Sequence, residues 1–384
     1  MSTTITVILV VIFLGVSLDS YLRLVLLALR WILPRRSAVP GSEITGAIIL
    51  IAARDEEGSI GPTVTSLQPQ VSEWPGSRLW VVADNCGDET AREARAAGAL
   101  VAERTDGKLG KGAVIDWWLI NFPEHWAGKS SIVVLDADSR LISGSLGHLR
   151  QAMSGGADAA QAFVAPEAGR TPGRLAGYSE VLMQRIDDEA RRRAQWPVPL
   201  RGTGMVIRAP LLAELAPRLH TLAEDLELDV LLSARHASVV FVPDAVVRDP
   251  KPRESAGISR QRARWLQGQL QVVRDYWGEL LSALASARPG TWMLLPLLLL
   301  RPKVLFIVIR VFVLVGAVIL GGPWWIVAVA LLADAAYYVS GAAVVDEPSR
   351  YLLDLASAPG YLLLWCRSLV VALFRRGGWL RAGR

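Results

Sequence analysis

The stretch Val133-Val134-Leu135-Asp136-Ala137-Asp138-Ser139 constrains the chain more than any other. A run of β-formers ends in two carboxylates separated by one small residue. On a strand, alternate side chains share a face. Asp136 and Asp138 are therefore expected together at the carboxyl end of a strand, where open α/β sheets keep their ligand crevice. Two close carboxylates repel unless something positive sits between them. Mg²⁺ or Mn²⁺ suits that place, because hard cations take oxygen ligands and leave room for substrate phosphates. An isolated D-A-D is also compatible with a solvated acidic turn, so its surroundings must decide.

Those surroundings alternate. Residues 47–52 are a continuous apolar run followed by Ala53-Arg54-Asp55-Glu56-Glu57. Residues 79–83 are a second, followed by Asp84-Asn85-Cys86-Gly87-Asp88; residues 99–102 make a short third, and 132–135 the fourth. Helical patterns at 89–97 and 111–121 lie between them. Strand–helix alternation with unbroken apolar strands predicts a mainly parallel sheet covered on both faces, with acids gathered at the strand ends. There is no G-x-x-x-x-G-K-[ST] and no G-x-G-x-x-G, which excludes nucleotide binding by those loops. Further on, 175–195 reads as helical and ends in Arg191-Arg192-Arg193. Arg201-Gly202-Thr203-Gly204-Met205 is a two-glycine loop before a short strand. Residues 224–234 form a helix opened by acids, 239–242 a strand, and 259–284 a long amphipathic helix.

The two ends differ from the middle. Hydrophobic residues make up 52% of the 384, too many for an ordinary soluble protein, and the excess lies outside about 41–284. Residues 5–33 are largely apolar, interrupted by Asp19 and Arg23, longer than a secretory core and without a small-residue cleavage site, so a retained membrane helix is expected over 1–35. Arg35 and Arg36 follow it, which puts the next domain in the cytoplasm by the positive-inside bias. Asp19 and Arg23 are one helical turn apart, placed to pair with each other or face other helices. Residues 41–284 form the α/β domain. In the C-terminal membrane region, 291–384, the apolar stretch 292–300 is too short to span and is expected at the interface. Residues 304–320 and 324–345 are expected spans around the hairpin Gly321-Gly322-Pro323. Residues 351–374, broken by Pro359-Gly360, are expected to be re-entrant or in-plane, with a basic tail behind them. The arrangement predicts a multi-pass protein of the cell membrane in contact with lipid. The net charge of +5 fits an anionic lipid surface. No zinc spacing and no aromatic–basic stripe points to nucleic acid. Two cysteines, Cys86 and Cys366, give no disulfide framework.

At this point the residues resemble a known family, the membrane-bound family 2 glycosyltransferases, which include the cellulose and hyaluronan synthases. The matches come in the family's order: Ala53-Arg54-Asp55-Glu56, then Val82-Ala83-Asp84-Asn85-Cys86-Gly87-Asp88-Glu89-Thr90, then Gly107-Lys108-Leu109-Gly110-Lys111-Gly112. Asp136-Ala137-Asp138, Gly202-Thr203-Gly204-Met205, Ala223-Glu224-Asp225-Leu226-Glu227 and Gln261-Arg262-Ala263-Arg264-Trp265 complete the series. The resemblance covers about 48–277. It implies a GT-A, Rossmann-like nucleotide-sugar domain, here flanked by N- and C-terminal transmembrane helices.

The resemblance also implies roles. Asp55 and Asp84 take the places of the acids that hold uracil and ribose, work suited to carboxylates facing an N–H and hydroxyls; Asp55 also fits a helix N-cap. Lys111 is placed near the nucleotide phosphates, or else in a plain surface turn. Asp138 is the implied direct metal ligand for Mg²⁺ or Mn²⁺, with Asp136 shared between metal and nucleotide. Asp225 is the implied general base. The threonine usual before the Glu-Asp pair is Ala223 here, and Glu224 fits either an acceptor contact or an acid at a helix N-terminus. Gly202, Thr203 and Gly204 would line the acceptor site. Arg264 would fork onto the diphosphate, while Gln261 and Trp265 would meet the acceptor sugar; the alternative is a helix lying on lipid.

The function expected is inverting transfer from a nucleotide-sugar donor, a UDP-sugar by the resemblance, to a glycan or lipid-linked acceptor at the cytoplasmic face. Within that class, a processive synthase competes with an enzyme adding one sugar to a lipid. A non-catalytic nucleotide-sugar-binding subunit of an export complex is the rival of another class, and a partner subunit for export fits either.

Overall fold

The computed structural model describes residues 3–35, 41, 44–167, 171–250, 255–286, 288, 291 and 303–360. The expected interface segment 292–300, residues 361–374 and the basic tail lie outside these. After α1 (Thr3–Ile32) the chain alternates β1 (Ala47–Ala53), α2 (Ile60–Val71), β2 (Arg78–Asp84), α3 (Thr90–Ala96) and β3 (Leu100–Arg104). Next come α4 (Lys111–Asn121), α5 (Pro123–Trp126), β4 (Ser131–Asp136), β5 (Arg140–Leu141), α6 (Ser145–Ser154) and β6 (Ala159–Glu167). Then follow α7 (Thr171–Leu182), a π-helical turn (Met183–Asp188), α8 (Glu189–Ala194), β7 (Met205–Arg208), α9 (Ala209–Leu215), α10 (Glu224–Ala234) and β8 (Val239–Pro250). The last elements are α11 (Ser255–Asp275), α12 (Trp277–Ala285), α13 (Lys303–Ile319), α14 (Trp324–Ser340) and α15 (Pro348–Leu355).

One eight-stranded sheet runs β3-β2-β1-β4-β7-β6-β8-β5. Its strands are apolar on both sides because both sides are covered. Ile48, Leu50, Val82, Ile132 and Val134 belong to one core, and Ile49, Ile51, Val81, Val133 and Leu135 to the other. β3, β2, β1 and β4 are mutually parallel, as expected. The other half is mixed: β7 runs antiparallel to both β4 and β6, β6 is parallel to β8, and β5 is antiparallel to β8. This reversal places the site. Met205, the first residue of β7, pairs with Val134 near the end of β4, so the Gly202-Thr203-Gly204 loop arrives at the edge where Asp136 stands. A parallel β7 would put that loop at the opposite edge.

β6 was not expected from sequence, since Ala159-Ala160-Gln161-Ala162 carries none of the β-branched bulk of its neighbours. The expected amphipathic helix 259–284 is two helices, α11 and α12. Tyr276 is buried at the break and its hydroxyl donates to the Arg218 carbonyl at 2.6 Å.

The helices at the two ends of the chain pack together. Two segments are long and apolar enough to cross a membrane, Val10–Ile32 in α1 and Trp324–Ala343, which is α14 with the turn that follows it; the apolar Phe306–Ile319 of α13 is shorter. Their outer faces are apolar: Val11, Phe312, Ile319 and Leu332 are exposed. Their shared interior is charged. Arg23 pairs with Asp19 (3.0 Å) and Asp334 (3.2 Å), and Arg310 pairs with Asp334 (2.6 Å) and with Asp19. α15 returns to α7, where Arg174 forks onto Asp354 at 2.7 and 2.8 Å.

Candidate active site

Parallel pairing sets the ends of β1, β2 and β4 level: Ala52 is in register with both Val82 and Asp136. Asp55 follows β1, Asp84 closes β2 and Asp136 closes β4, so these acids share one edge of the sheet. The loops after β1 and β2 are knitted to each other. Asp55, at a positive φ of 50°, accepts from the Gly87 N–H at 2.7 Å. Glu56 N–H donates to Thr90 Oγ1 and Glu57 N–H to Asp88 Oδ2, at 2.7 and 3.2 Å. Asp55 is not the cap of α2, which begins after Ser59. Asp88 accepts from the Thr90 N–H at 3.1 Å, at the start of α3.

Asp84 is buried and carries a partner the sequence reading missed. Arg104, at the end of β3, donates to Asp84 Oδ1 at 2.8 Å and to the Lys108 carbonyl at 2.7 Å. The parallel register of β2 and β3, which the sequence does not show, sets Arg104 opposite Asp84.

The centre of the site is Lys111, the first residue of α4. Its Nζ donates to Asp136 Oδ1 at 2.5 Å and to the Gly202 carbonyl at 2.6 Å. Burial alone would lower the pKa of its ammonium, but the charges of Asp136, Glu224 and Asp225 outweigh that and hold it above the ordinary lysine range. Glu224 is the counterpart. Burial drives its carboxyl up, Lys111 opposes, and the like charges of Asp225 and Asp136 add to the rise, leaving it at about 7. Three motifs, around Lys111, Asp136 and Glu224-Asp225, thus converge from α4, β4 and α10. Asp225 lies in the first turn of α10 and is half-buried; Asp138, two residues past β4, is also half-buried.

The two-glycine loop divides by function. Gly202, at φ 75°, has Glu224 Oε1 3.5 Å from where a Cβ would stand, so its bareness keeps space in the site. Gly204 is bare for a different reason than an open acceptor site: a Cβ there would lie 2.6 Å from Val247 and 3.1 Å from Ala162, inside the sheet's own packing. Thr203 is buried; its Oγ1 accepts from Asp136 N–H at 3.1 Å and donates to Ser139 at 3.0 Å, locking the loop to the turn after β4.

Behind the Glu224-Asp225 pair stands Glu227, wholly buried and passed over in sequence. Its carboxylate accepts from the His220 and Thr221 N–H groups (both 3.0 Å at Oε1), and the Tyr276 hydroxyl oxygen lies 3.3 Å from it. It organises the turn that leads into the pair. Ala223, where the family pattern has threonine, packs against Gly268 of α11, whose absent Cβ would fall 2.8 Å from the alanine's. Thr221 supplies a hydroxyl nearby, accepting from Ala223 N–H at 3.2 Å. Gln261 and Arg264 of α11 are half-buried and Trp265 is 38% exposed, whereas Arg262 between them is buried.

A family profile described as glycosyltransferase like family 2 matches residues 46–268, more than half of the chain. The chain belongs to this glycosyltransferase family. Among solved structures, the mannosyltransferase PcManGT of Pyrobaculum calidifontis, in complex with GDP-Man and Mn²⁺, matches at TM-score 0.55 and 16% identity, covering 97% of this chain and 98% of that one. At that identity the likeness shows the shared fold, along the full length. Glucosyl-3-phosphoglycerate synthase of Mycobacterium tuberculosis, in complex with Mn²⁺, UDP and phosphoglyceric acid, matches at TM-score 0.39 and 18% identity over 63% of this chain and 80% of that one, too weakly to carry an argument. No curated protein matches the chain.

For a glycosyltransferase with Mg²⁺ or Mn²⁺ as the expected ion, the described residues offer two donor sets. Asp55, Cys86 and Asp88 bring their ligand atoms within 4.8 Å of one another. A thiol is a poor donor for a hard cation, and both carboxylates already accept backbone N–H groups. Asp136 and Asp138 are hard oxygen donors; the Asp136 side chain is 44% exposed and already has a cation, the Lys111 ammonium, against one oxygen. The chemistry of that second set fits the ion better.

Proposed function

We propose that this family 2 member is an inverting glycosyltransferase. It moves a sugar from a nucleoside-diphosphate sugar, with uridine the base the resemblance implies, to an acceptor at the cytoplasmic surface of a membrane. The observation that carries this is the convergence on Lys111: one ammonium joins the acid closing β4 to the acceptor-side loop, beside Glu224 and Asp225. The membrane setting rests on the inverted helices at the chain's ends, charged within and apolar without.

The roles are those the resemblance implies, set on that geometry. Asp55 and Asp84 hold the nucleoside, Asp84 with the Arg104 guanidinium behind it. Asp136 and Asp138 would hold the divalent cation, which would neutralise charge gathering on the departing diphosphate. Lys111 and Arg264 add cationic contacts to the same oxygens. Asp225 takes the proton of the acceptor hydroxyl as its oxygen bonds to the anomeric carbon. The bond from that carbon to the diphosphate breaks on the opposite side, and the nucleoside diphosphate leaves with its electron pair. A single displacement of this kind inverts the carbon. Glu224 and Gly202 bound the acceptor, with Gln261 and Trp265 outside them.

The test is Asp225→Asn in the full-length protein. It is expected to bind UDP and Mn²⁺ as the parent does and to transfer no sugar. Transfer near the parent rate would remove Asp225 from the role of base.

A further inference from the structure

Where the apolar span of α1 ends, the chain gathers arginines. Arg30 donates from Nε to the Arg185 carbonyl at 2.6 Å, and its guanidinium lies 4.8 Å from the Trp31 ring. Arg185, in the π-helical turn, lays its guanidinium over Phe163 at 4.1 Å. Arg193 caps the end of α1 through the carbonyls of Arg30 (2.5 Å) and Leu33 (2.9 Å). Arg193, Arg35 and Arg185 set like charge around Arg30, with Glu189 as the opposing charge. Glu189 is already spent on Arg192 and Arg193, at 2.8 Å to each. Among the described residues neither Arg30 nor Arg185 has a carboxylate partner, and neither has a nitrogen both sealed from solvent and unpaired. Capping a helix C-terminus accounts for Arg193. It does not account for Arg185, whose charge is held on an aromatic face instead.

The place is informative. Phe163 and Gln161 lie on the same side of β6, about 7 Å apart by strand geometry. Gln161 donates to the Thr203 carbonyl at 2.9 Å, so the ring that carries Arg185 stands one strand repeat from the residue that holds the Gly202–Gly204 loop. On its other side, Trp31 and Ile32 are exposed at the end of the apolar α1.

We propose that Arg30 and Arg185 form a phosphate site for the headgroup of a long-chain lipid. The half-buried Arg185 turns its guanidinium to the phosphate oxygens with the buried Arg30 adding charge beside it, the hydrocarbon runs back along α1, and the headgroup presents the acceptor end to the Gly202–Gly204 loop. This names the acceptor class within the transferase reading above and rests on it.

The test is calorimetric titration of the full-length protein in detergent with farnesyl phosphate, farnesol and inorganic phosphate, and separately with UDP and Mn²⁺. Farnesyl phosphate is expected to bind more tightly than either of the other two. Arg185→Gln is expected to weaken that binding about tenfold or more, the scale of one charge-assisted contact. Arg185→Lys, which keeps the charge, is expected to retain most of it. Arg30→Gln also loses a bond that seats α1, so Arg185 is the deciding position, with thermal melting as the check on folding. Farnesol binding as well as farnesyl phosphate, inorganic phosphate binding as well as the lipid, or an unaltered affinity in Arg185→Gln would each overturn the site. Failure here with UDP binding intact leaves the transferase reading standing. Absence of nucleotide binding in the parent protein would instead bring down that reading.

Discussion

The ammonium of Lys111 rests 2.5 Å from a carboxylate oxygen of Asp136 and is itself nearly covered. Lysine and a divalent ion therefore seek the same oxygen. Removing the lysine leaves Asp136, Glu224 and Asp225 with their mutual repulsion unrelieved. In Lys111→Met, Mn²⁺ without nucleotide is expected to bind more tightly than in the parent, measured by the loss of free Mn²⁺ signal in electron paramagnetic resonance. The donor's KM is expected to rise about tenfold, because a cationic contact to the diphosphate is gone. Weaker Mn²⁺ binding in the variant would mean the two cations do not compete.

Glu224 sets a pH dependence. Its carboxyl is raised from an ordinary 4.5 to about 7, by burial first and then by Asp225 and Asp136 against Lys111. Below that pH it is neutral; above it, it accepts hydrogen bonds only. Transfer is expected to increase as pH rises through about 7, and Glu224→Gln is expected to flatten that limb of the kcat/KM profile. Stability moves the other way. Between 4.5 and about 7 the folded chain keeps a proton that the unfolded chain has released, so this group's contribution falls as pH rises across that window. Thermal melting of parent and Glu224→Gln over the same range reads it.

Gly268 and Ala223 make a close seat for the Glu224-Asp225 pair. A Cβ at Gly268 would fall 2.8 Å from Ala223 Cβ and 3.2 Å from its backbone nitrogen, neither of which is a flexible tip. Gly268→Ala is expected to cost about 1–3 kcal/mol by overpacking and to displace Asp225, lowering kcat more than donor affinity. Single-turnover transfer and UDP titration separate the two. A variant with parent kcat would show that the seat can give way without moving the base.

The strands and their acids were readable because a strand buried on both faces must be apolar throughout, as Ile48–Ile51 are, and must turn polar where it ends. The lengths of α4 and α10 followed from pattern alone. What the sequence withheld is long-range. Arg104 behind Asp84 and Glu227 behind the Glu224-Asp225 pair are each one charged residue among many until the sheet and α10 bring them home. β6 escaped notice because alanine carries little strand preference; its pairing with β7 and β8 places it. Gly204 misled in detail, since a bare residue beside a site looks the same in sequence whether the space serves a sugar or Val247.

Arg310 and Asp334 test how the ends of the chain are joined. Arg310 is wholly buried between Asp19 of α1 and Asp334 of α14, and Asp334 in turn takes Arg23 and Ser20, the latter at 2.8 Å. Two positive and two negative charges cancel inside an apolar shell. Deleting one of them strands another, which costs about 3–5 kcal/mol where a buried pair is broken. Deleting an opposite pair restores neutrality and leaves Asp19 with Arg23, 3.0 Å apart and one turn along the same helix. Asp334→Leu alone is therefore expected to melt well below the parent in detergent, and Arg310→Leu with Asp334→Leu to recover most of the loss. The double variant is also expected to keep α1 packed on α14, because Phe13, Ala317, Ile326 and Val327 form an apolar contact there independent of the charges. If the double variant melts as low as the single, the charges join the ends of the chain by their specific geometry, and restoring neutrality is not enough.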